Sequence, residues 1–375
     1  MQTNQVGLEE NGKNSGKKGK TMLPFTEKKY IDPIPTDVDC VLGADIGGTN
    51  SNFGIFEKTN DKLKLILSLH FKSQEITDFT KFVADTLSYL EKKYGLFITH
   101  SCFAAAGVVS EHRDRCKPTN LDFTIDANEL IQKTSLECAT LANDFEIIGH
   151  GLMLLKKNGV VQVKKGSARK NAVRVILGAG TGLGKCILQW HESLKRFMPM
   201  PSEGGHADFA AQTQEELGLI DFIESTEQRT CNISWEDVLS GNGIIRIYNF
   251  FRARNSNQPA NEELKKNGLH PDKIFASRNL DDHARQTFRL YTTLYARCAK
   301  NFALDALGLG GVYIAGGIAS KNLELFERPE FLQEFVNCGK QKDLLKKVPI
   351  FVITDYNVSL YGAAQFMLLE KTCIS

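Results

Sequence analysis

The feature that most constrains the fold is a glycine-rich turn, residues 178–184, between two strand-like segments. Residues 173–177 are apolar, as in a buried strand, and residues 185–190 after the turn also have strand character. The alternate glycines invite comparison with the dinucleotide-binding fingerprint, but that fingerprint requires a helix directly afterwards. A P-loop would need Ser or Thr where Cys186 stands. The segment therefore predicts a strand–turn–strand phosphate cradle, with a flexible hairpin as the structural alternative.

Strand-like and helix-like segments alternate along the whole chain, which predicts an α/β fold. Residues 40–45 and 63–71 have strand character, and residues 280–307 carry apolar side chains every three or four positions, as in a helix. A strand, then an acid or glycines, then a hairpin occurs near 41–57 and again near 173–190. This loose similarity indicates two related halves facing a cleft.

Three regions follow from these patterns. We expect residues 1–37 to be a disordered N-terminal extension, because the first part is rich in Gly, Asn and Lys and poor in apolar residues. Residues 38–154 together with 356–375 are predicted to form a small α/β domain, and residues 155–355 a large α/β domain. The segment 156–170 is basic, and the sequence suggests no role for it.

Composition is that of an ordinary globular protein, with 42% hydrophobic residues, 24% charged residues and a formal net charge of +2. This charge gives no argument for a nucleic acid or membrane partner. No apolar run approaches the ~20 residues of a membrane span, and no secretory signal is evident at the N-terminus. The nine cysteines form no C-x-x-C pair, so we expect reduced thiols in the cytoplasm.

A second candidate phosphate site begins at Asp45, where an apolar strand ends. Gly47 and Gly48 leave backbone N–H groups accessible to phosphate, and Thr49 and Asn50 add side-chain donors. Phosphate would repel the Asp45 carboxylate, so this residue would act through Mg²⁺ and its waters. A tight hairpin turn that uses glycine for positive φ is the structural alternative.

Glycines also flank the apolar segment 312–315. Gly310 and Gly311 precede it, and Gly316 and Gly317 follow it. The second pair leaves a surface without side chains, on which an adenine ring can lie. A core strand between tight turns is the structural alternative.

Acids and one imidazole mark a candidate sugar and catalytic site. Asn143 and Asp144 follow a strand, where α/β sheets place ligands, and Asp144 can accept the proton of a hydroxyl that attacks phosphorus. A helix N-cap at Asp144 is the alternative, and both roles can coexist. Glu203 and His206 flank two glycines, so both can bend toward one ligand's hydroxyls. Glu236 precedes a helix start, with a first-turn acid as its alternative.

Six motifs occur in an order that resembles bacterial-type glucokinases, members of the actin, hexokinase and Hsp70-like ATPase superfamily. They are DIGGTN, NDF, GAGTGLG, SEGGHADF, EDVLSGNG and GGVYIAGGI, and the resemblance covers about residues 41–369. It implies a two-lobed, ribonuclease H-like or actin-like ATPase fold with an interdomain cleft. It also implies ATP- and Mg²⁺-dependent phosphorylation of glucose to glucose 6-phosphate, the first step of glycolysis.

The resemblance implies a role for each matching residue. Asp144 is expected to be the catalytic base, and Asp45 to hold Mg²⁺ through water. The expected sugar ligands are Asn120, Asn143, Asp144, Glu203, His206 and Glu236. The expected ATP-binding residues are Asp45, Gly47, Gly48, Thr49, Asn50, Gly180, Thr181, Gly182, Gly316 and Gly317.

Some features depart from the family pattern or leave alternatives open. Ser202 stands where the family usually has glycine. Zinc-bearing relatives carry a cysteine cluster soon after the histidine that His206 matches, and this chain has none there, so we expect no zinc. We expect a homodimer with glucose and ATP as ligands. The open alternatives are a kinase for another hexose, a polyphosphate-using glucokinase and a non-catalytic sugar-sensing regulator.

Overall fold

The chain divides into two compact units, each built on one main β-sheet. Unit 1 consists of Met1–Leu155 and Asn357–Ser375, and unit 2 of Lys156–Tyr356. The computed structural model describes residues 9–10, 22–60, 62–254 and 268–370.

Strands and helices alternate, as the sequence predicts. The strands are β1 (Glu9–Glu10), β2 (Phe25–Lys29), β3 (Cys40–Ile46), β4 (Asn50–Thr59), β5 (Lys62–Lys72), β6 (Ile98–Ala105), β7 (Arg115–Cys116), β8 (Ile125–Asp126), β9 (Cys138–Asn143), β10 (Val160–Lys164), β11 (Arg174–Ala179), β12 (Leu183–His191), β13 (Arg196–Ser202), β14 (Gly311–Ala315) and β15 (Ile350–Ile353). The described helices are α1 (Phe79–Tyr94), α2 (Ala127–Lys133), α3 (Asp144–Leu152), α4 (Gln214–Glu227), α5 (Trp235–Val238), α6 (Gly241–Arg254), α7 (Pro271–Ala276), α8 (Asp282–Asp305), α9 (Gly317–Lys321), α10 (Glu324–Glu327), α11 (Pro329–Phe335), α12 (Lys342–Lys347) and α13 (Val358–Leu369). Among these helices, none has the length and apolarity needed to cross a membrane.

The main sheet of unit 1 has the strand order β1-β2-β5-β4-β3-β6-β9. β3, β4 and β5 pair antiparallel, whereas β3, β6 and β9 run parallel. The register aligns Ile46 with Ala105, and Ala105 with Asn143, so the three parallel strands end at one edge. Gly43 lets α13 approach β3 closely, because a Cβ at Gly43 would stand 2.6 Å from the Leu360 carbonyl oxygen.

The main sheet of unit 2 has the order β10-β15-β14-β11-β12-β13. β11, β12 and β13 pair antiparallel, and β11, β14 and β15 run parallel. The long helix α8 begins after Asp281, whose side chain accepts the Ala284 N–H at 2.9 Å. Its Tyr295 and Phe302 are buried in the core of this unit, as the helical spacing of residues 280–307 predicts.

The N-terminal segment contains a strand where the sequence suggests disorder. β2 pairs antiparallel with β5, and the Glu27 carboxylate accepts hydrogen bonds from the hydroxyls of Tyr89 and Tyr94, each at 2.5 Å. The expectation of a disordered extension is therefore wrong for Phe25–Lys29, because long-range partners supply an order that local composition does not reveal. Residues 1–8 and 11–21 lie outside the described residues.

One residue of the basic segment has a structural role. The Lys164 ammonium donates to the carbonyl oxygens of Leu345, Lys346 and Val348 at 3.2, 2.8 and 2.7 Å. The last carbonyl groups of a helix have no partner within the helix, so a lysine supplies the missing donors at the end of α12.

Most of the described cysteines are reduced, as expected. Seven of them are free thiols, and five of these are buried, namely Cys40, Cys102, Cys116, Cys186 and Cys298. Cys138 is disulfide-bonded. The expectation of reduced thiols throughout is therefore wrong at this position.

Candidate active site

In unit 1, residues 45–50 form the turn that joins β3 to β4. A neighbouring short 3₁₀ segment, Ser73–Glu75, holds this turn in place. The Ser73 hydroxyl donates to the Gly47 carbonyl oxygen at 2.6 Å, and the Gln74 amide donates to the Gly48 carbonyl oxygen at 2.9 Å. Because these bonds engage carbonyl groups of the turn, its outline is fixed by side chains that the sequence motif does not include.

Asp45 is a half-buried carboxylic acid at the carboxyl end of β3. Burial raises the pKa of the Asp45 carboxyl, and a hydrogen bond with the Ser359 side chain acts in the opposite direction. Within the described residues, no group of three or more His, Cys, Asp or Glu could hold a metal ion. A single carboxylate fits Mg²⁺, which keeps several waters and is held through few protein groups.

Asn143 and Asp144 stand where β9 ends and α3 begins. The Asn143 Oδ1 accepts the N–H groups of Phe145 and Glu146 at 2.9 and 3.2 Å, and its amide donates to the Gly107 carbonyl oxygen at 3.4 Å. The N-cap is therefore Asn143, and the N-cap alternative proposed for Asp144 is wrong. Asp144 is instead the first helical residue and is half-buried, at a helix end that favours a negative charge.

A salt bridge supports the start of α3. The Arg113 guanidinium donates to both carboxylate oxygens of Glu146 at 2.9 and 2.8 Å, and Glu146 is buried. Nearby, burial raises the pKa of the Cys116 thiol to about 11, and the Asp144 charge acts in the same direction. Asp144 thus stands between a fixed helix start and a neutral thiol.

Asn120 lies in an exposed turn of unit 1. Its carbonyl oxygen accepts a hydrogen bond from the Gln74 amide at 3.3 Å, and the same amide donates to Gly48. Gln74 therefore joins a predicted sugar ligand to the predicted phosphate turn. The sequence gives no signal for Gln74, because it belongs to no motif and acts through backbone oxygens.

In unit 2, the turn between β11 and β12 carries Gly180, Thr181 and Gly182. Ala179 pairs with Leu183 across the two antiparallel strands, and the Gly180 N–H donates to the Gly182 carbonyl oxygen at 2.8 Å. The predicted strand–turn–strand arrangement is confirmed, and the dinucleotide-binding alternative is correctly excluded since a strand follows the glycines.

The predicted phosphate turn of unit 2 is anchored from the long helix. The Ala179 N–H donates to the Tyr295 hydroxyl at 3.1 Å, just before the turn begins. The helical spacing of residues 280–307 predicts Tyr295 only as part of an apolar helix face. Its hydroxyl is the polar tip of an otherwise core side chain, a role that periodicity does not reveal.

Glu203 and His206 follow β13 in unit 2. Glu203 Oε2 lies 3.7 Å from His206 Nε2, and both side chains are largely exposed. A Cβ at Gly205 would stand 1.9 Å from the Leu183 carbonyl oxygen, so only glycine allows this segment to lie against β12. The two predicted sugar ligands are thus adjacent, as their spacing predicts.

Glu236 lies in the first turn of α5 and also contacts the phosphate turn. Its Oε2 accepts the Leu183 N–H at 2.8 Å. The preceding residue, Trp235, is buried against Phe209 with ring centroids 5.2 Å apart. Its backbone N–H donates to the Ala207 carbonyl oxygen at 2.9 Å. Glu236 is therefore a first-turn acid that also holds the turn between β11 and β12.

Gly316 and Gly317 follow β14 and begin α9. Gly316 has a φ of 92°, and a Cβ there would stand 2.6 Å from the Ala179 carbonyl oxygen. A Cβ at Gly317 would meet nothing within 4 Å. Gly316 is therefore needed for the backbone path, whereas Gly317 borders open space.

Sequence and structure comparisons relate the chain to known proteins. The family model for glucokinase matches residues 42–370. A curated glucokinase of Nostoc punctiforme is 33% identical over 341 residues, which cover 86% of this chain and 97% of that protein. The crystal structure of a glucokinase from an Antarctic psychrotroph is 25% identical, with a TM-score of 0.71, over 88% of this chain and 99% of that one.

A more distant structure shares the fold. The glucokinase of Balamuthia mandrillaris in complex with glucose is 22% identical and has a TM-score of 0.74, over 89% of this chain and 94% of that chain. With this likeness, the expected α/β fold of the actin-like ATPase type is confirmed.

Proposed function

The chain belongs to the glucokinase family, and we propose that it transfers the terminal phosphoryl group of ATP to the 6-hydroxyl of glucose. The products are glucose 6-phosphate and ADP. The observation that carries this proposal is Asp144, a half-buried carboxylate at the first position of α3, fixed by the cap that Asn143 makes. A carboxylate held in this way can accept the proton of a sugar hydroxyl.

Asp144 accepts the proton of the 6-hydroxyl as its oxygen attacks phosphorus. Asn143 holds the helix start, and its side chain, with that of Asn120, is assigned to sugar hydroxyls. The Asp45 carboxylate is assigned to the waters of Mg²⁺, which supplies positive charge to the donor phosphates when bound. Burial of Asp45 supports this role, because a bound cation would offset the cost of a buried negative charge.

The assigned groups of unit 2 bind rather than transfer protons. The backbone N–H groups of residues 180–182 are directed to phosphate oxygens. The open surface at Gly317 supports an adenosine position beside Gly316. Glu203, His206 and Glu236 combine acceptors and donors for the remaining sugar hydroxyls.

The assembly and the compartment are also proposals. We propose a homodimer, testable by sedimentation equilibrium of the full chain. We propose the cytoplasm as the compartment, which the seven free thiols among the described cysteines support. Fractionation of cells that express the chain tests this directly.

Formation of sugar phosphate from glucose with Mg²⁺ and ATP, measured together with ADP release, tests the activity. Parallel reactions contain mannose, fructose, N-acetylglucosamine, no sugar, or polyphosphate in place of ATP. We expect turnover that requires glucose and ATP. Turnover that is faster with another hexose or with polyphosphate would replace the proposed substrate, and no turnover with any pair would contradict a kinase.

A further inference from the structure

Glu236 holds the phosphate turn with one carboxylate oxygen and leaves the other open. Its Oε2 accepts the Leu183 N–H at 2.8 Å, whereas Oε1 has no hydrogen-bond partner among the residues that the structure describes. A carboxylate used in this way can hold a backbone turn and still accept a hydroxyl.

The two glycines of the turn differ in what they make possible. A Cβ at Gly182 would stand 2.4 Å from Glu236 Oε2, so any side chain there must push the carboxylate away. A Cβ at Gly180 would meet nothing within 4 Å. Gly182 therefore makes room for Glu236, while Gly180 borders open space. This difference gives a matched pair of variants within one turn.

Leu183 joins the turn to the segment that carries the other sugar ligands. Its N–H group is bound to Glu236, and its carbonyl oxygen lies against Gly205. The backbone N–H of Trp235, which directly precedes Glu236, donates to the Ala207 carbonyl oxygen at 2.9 Å. The Glu236 carboxylate therefore contacts the turn through Leu183, and the backbone beside Glu236 contacts the segment that carries Glu203 and His206.

We propose that Glu236 couples the binding of glucose to the binding of the phosphoryl donor, a role that rests on the proposed function. A sugar hydroxyl that donates to Oε1 fixes the carboxylate, and the fixed carboxylate orders the turn through Leu183. A turn that is ordered in advance loses less entropy when phosphates bind. By linkage, the donor tightens glucose binding by the same factor, which we expect to be about fivefold or more.

Calorimetry on the full-length protein tests this proposal. Glucose is titrated with and without Mg²⁺ and a non-hydrolysable ATP analogue into the wild type, Gly182→Ala and Gly180→Ala. We expect Gly182→Ala to weaken glucose binding about tenfold even without nucleotide, the cost of one bond to a charged group, and to abolish the coupling. Gly180→Ala should keep the glucose affinity of the wild type and weaken only the analogue.

The outcomes separate this inference from the proposed function. If the wild type binds and phosphorylates glucose but the two glycine variants bind glucose alike, the coupling through Glu236 is wrong and the activity stands. If the wild type neither binds nor phosphorylates glucose, both fail. Should Gly182→Ala fail to fold, Glu236→Gln replaces it, and loss of the coupling in that variant would support the proposal while an unchanged coupling would overturn it.

Discussion

The main sheets of the two units share one strand order and differ in where their carboxylates come from. The order β5-β4-β3-β6-β9 in unit 1 corresponds to β13-β12-β11-β14-β15 in unit 2, with the same parallel and antiparallel pairs. In unit 1, Asp45 lies at the carboxyl end of β3, and Asp144 directly follows β9. In unit 2, β11 ends at Ala179, and the acid at the next turn, Glu236, comes from a helix 53 residues beyond Leu183.

Other differences follow the same division. A glycine with positive φ stands after the fourth strand in both units, Gly107 at 143° and Gly316 at 92°. Unit 1 adds β2 beside β5, whereas unit 2 adds β10 beside β15, at the opposite edge of the pattern. The repeated topology thus supplies a frame with turns in equivalent places, and side chains placed on that frame decide the chemistry of each unit.

The largest expected effect tests whether unit 1 carries the proton transfer. We expect Asp144→Asn to lower kcat by about 10²–10⁴-fold, because an amide cannot accept the hydroxyl proton. Melting temperature and glucose affinity should stay near those of the wild type. Steady-state kinetics and calorimetry measure these quantities, with Asp122→Asn as an exposed control in the same unit. A nearly full kcat in Asp144→Asn would remove the chemical contrast between the units.

Asp45, at the turn between β3 and β4 of unit 1, should contribute to binding of the phosphoryl donor. We expect Asp45→Asn to lower kcat/KM for Mg²⁺-ATP by about 10–100-fold, as for other residues that act on a metal through its waters. For the wild type, affinity for Mg²⁺-ATP should fall as the pH drops through the raised pKa of Asp45, since the protonated acid loses its charge. Kinetics between pH 5 and pH 8 check this, and an equally steep profile in Asp45→Asn would contradict it.

The same acid makes an opposite prediction for stability. A raised folded-state pKa means that the contribution of Asp45 to stability is present at low pH and is lost as the pH rises through that pKa. Without nucleotide at pH 7, Asp45→Asn should therefore unfold at a higher temperature than the wild type. Calorimetric scans with and without Mg²⁺-ATP measure the difference in melting temperature between Asp45→Asn and the wild type. The ligand should make this difference smaller.

The two neighbouring glycines after β14 sharpen the structural side of the comparison. Gly316→Ala should lower the free energy of unfolding by about 1–3 kcal/mol, because φ is positive and the added methyl group meets a backbone oxygen. Gly317→Ala, one residue on, should leave this free energy nearly unchanged, since a Cβ there meets nothing. Urea unfolding of both variants provides the measurement. Equal losses would show that the path after β14 does not depend on glycine at position 316.

The smallest expected effect concerns β2, the strand that unit 1 adds beside β5. Burial opposes the charge of Glu27, but hydrogen bonds from Tyr89, Tyr94 and Lys93 outweigh it and lower the pKa of the Glu27 carboxyl. We expect Glu27→Gln to cost about 1 kcal/mol at pH 7. This difference should shrink as the pH falls below about 4, where an unfolded glutamate becomes protonated, and should vanish only below the lowered pKa of the folded state. Urea unfolding checks both, with the exposed Glu91→Gln as control.

The sequence predicts those parts of the molecule whose signals are local. The strand at 40–45 and the helix at 280–307 have the period of their structure, and each differs from the observed element by only one or two residues at its ends. The strand β2 was missed because its residues FTEKK alternate only weakly, and Glu27 gains its partners from a helix more than 60 residues away.

The candidate site is likewise predictable from the sequence only where its signals are local. Glycine turns and acids after strands can be recognised in the sequence. The structure places Asp45, Asp144 and the turn at 180–182 at strand ends. The groups that hold them, Gln74 and Tyr295, act through backbone atoms of distant segments, which no spacing encodes. Individual assignments to sugar, phosphate and Mg²⁺ stay predictions until ligand binding is measured.

The packing of Trp235 gives this protein an internal optical reporter. The chain contains two tryptophans, Trp235 beside Glu236 and Trp190 on β12, where its indole N–H donates to Glu192 at 2.7 Å. In a Trp190→Phe variant, all tryptophan fluorescence would come from the buried ring of Trp235. This residue directly precedes Glu236, a proposed sugar ligand. A shift of that emission during stopped-flow mixing would let the arrival of sugar be timed separately from turnover, without any attached dye.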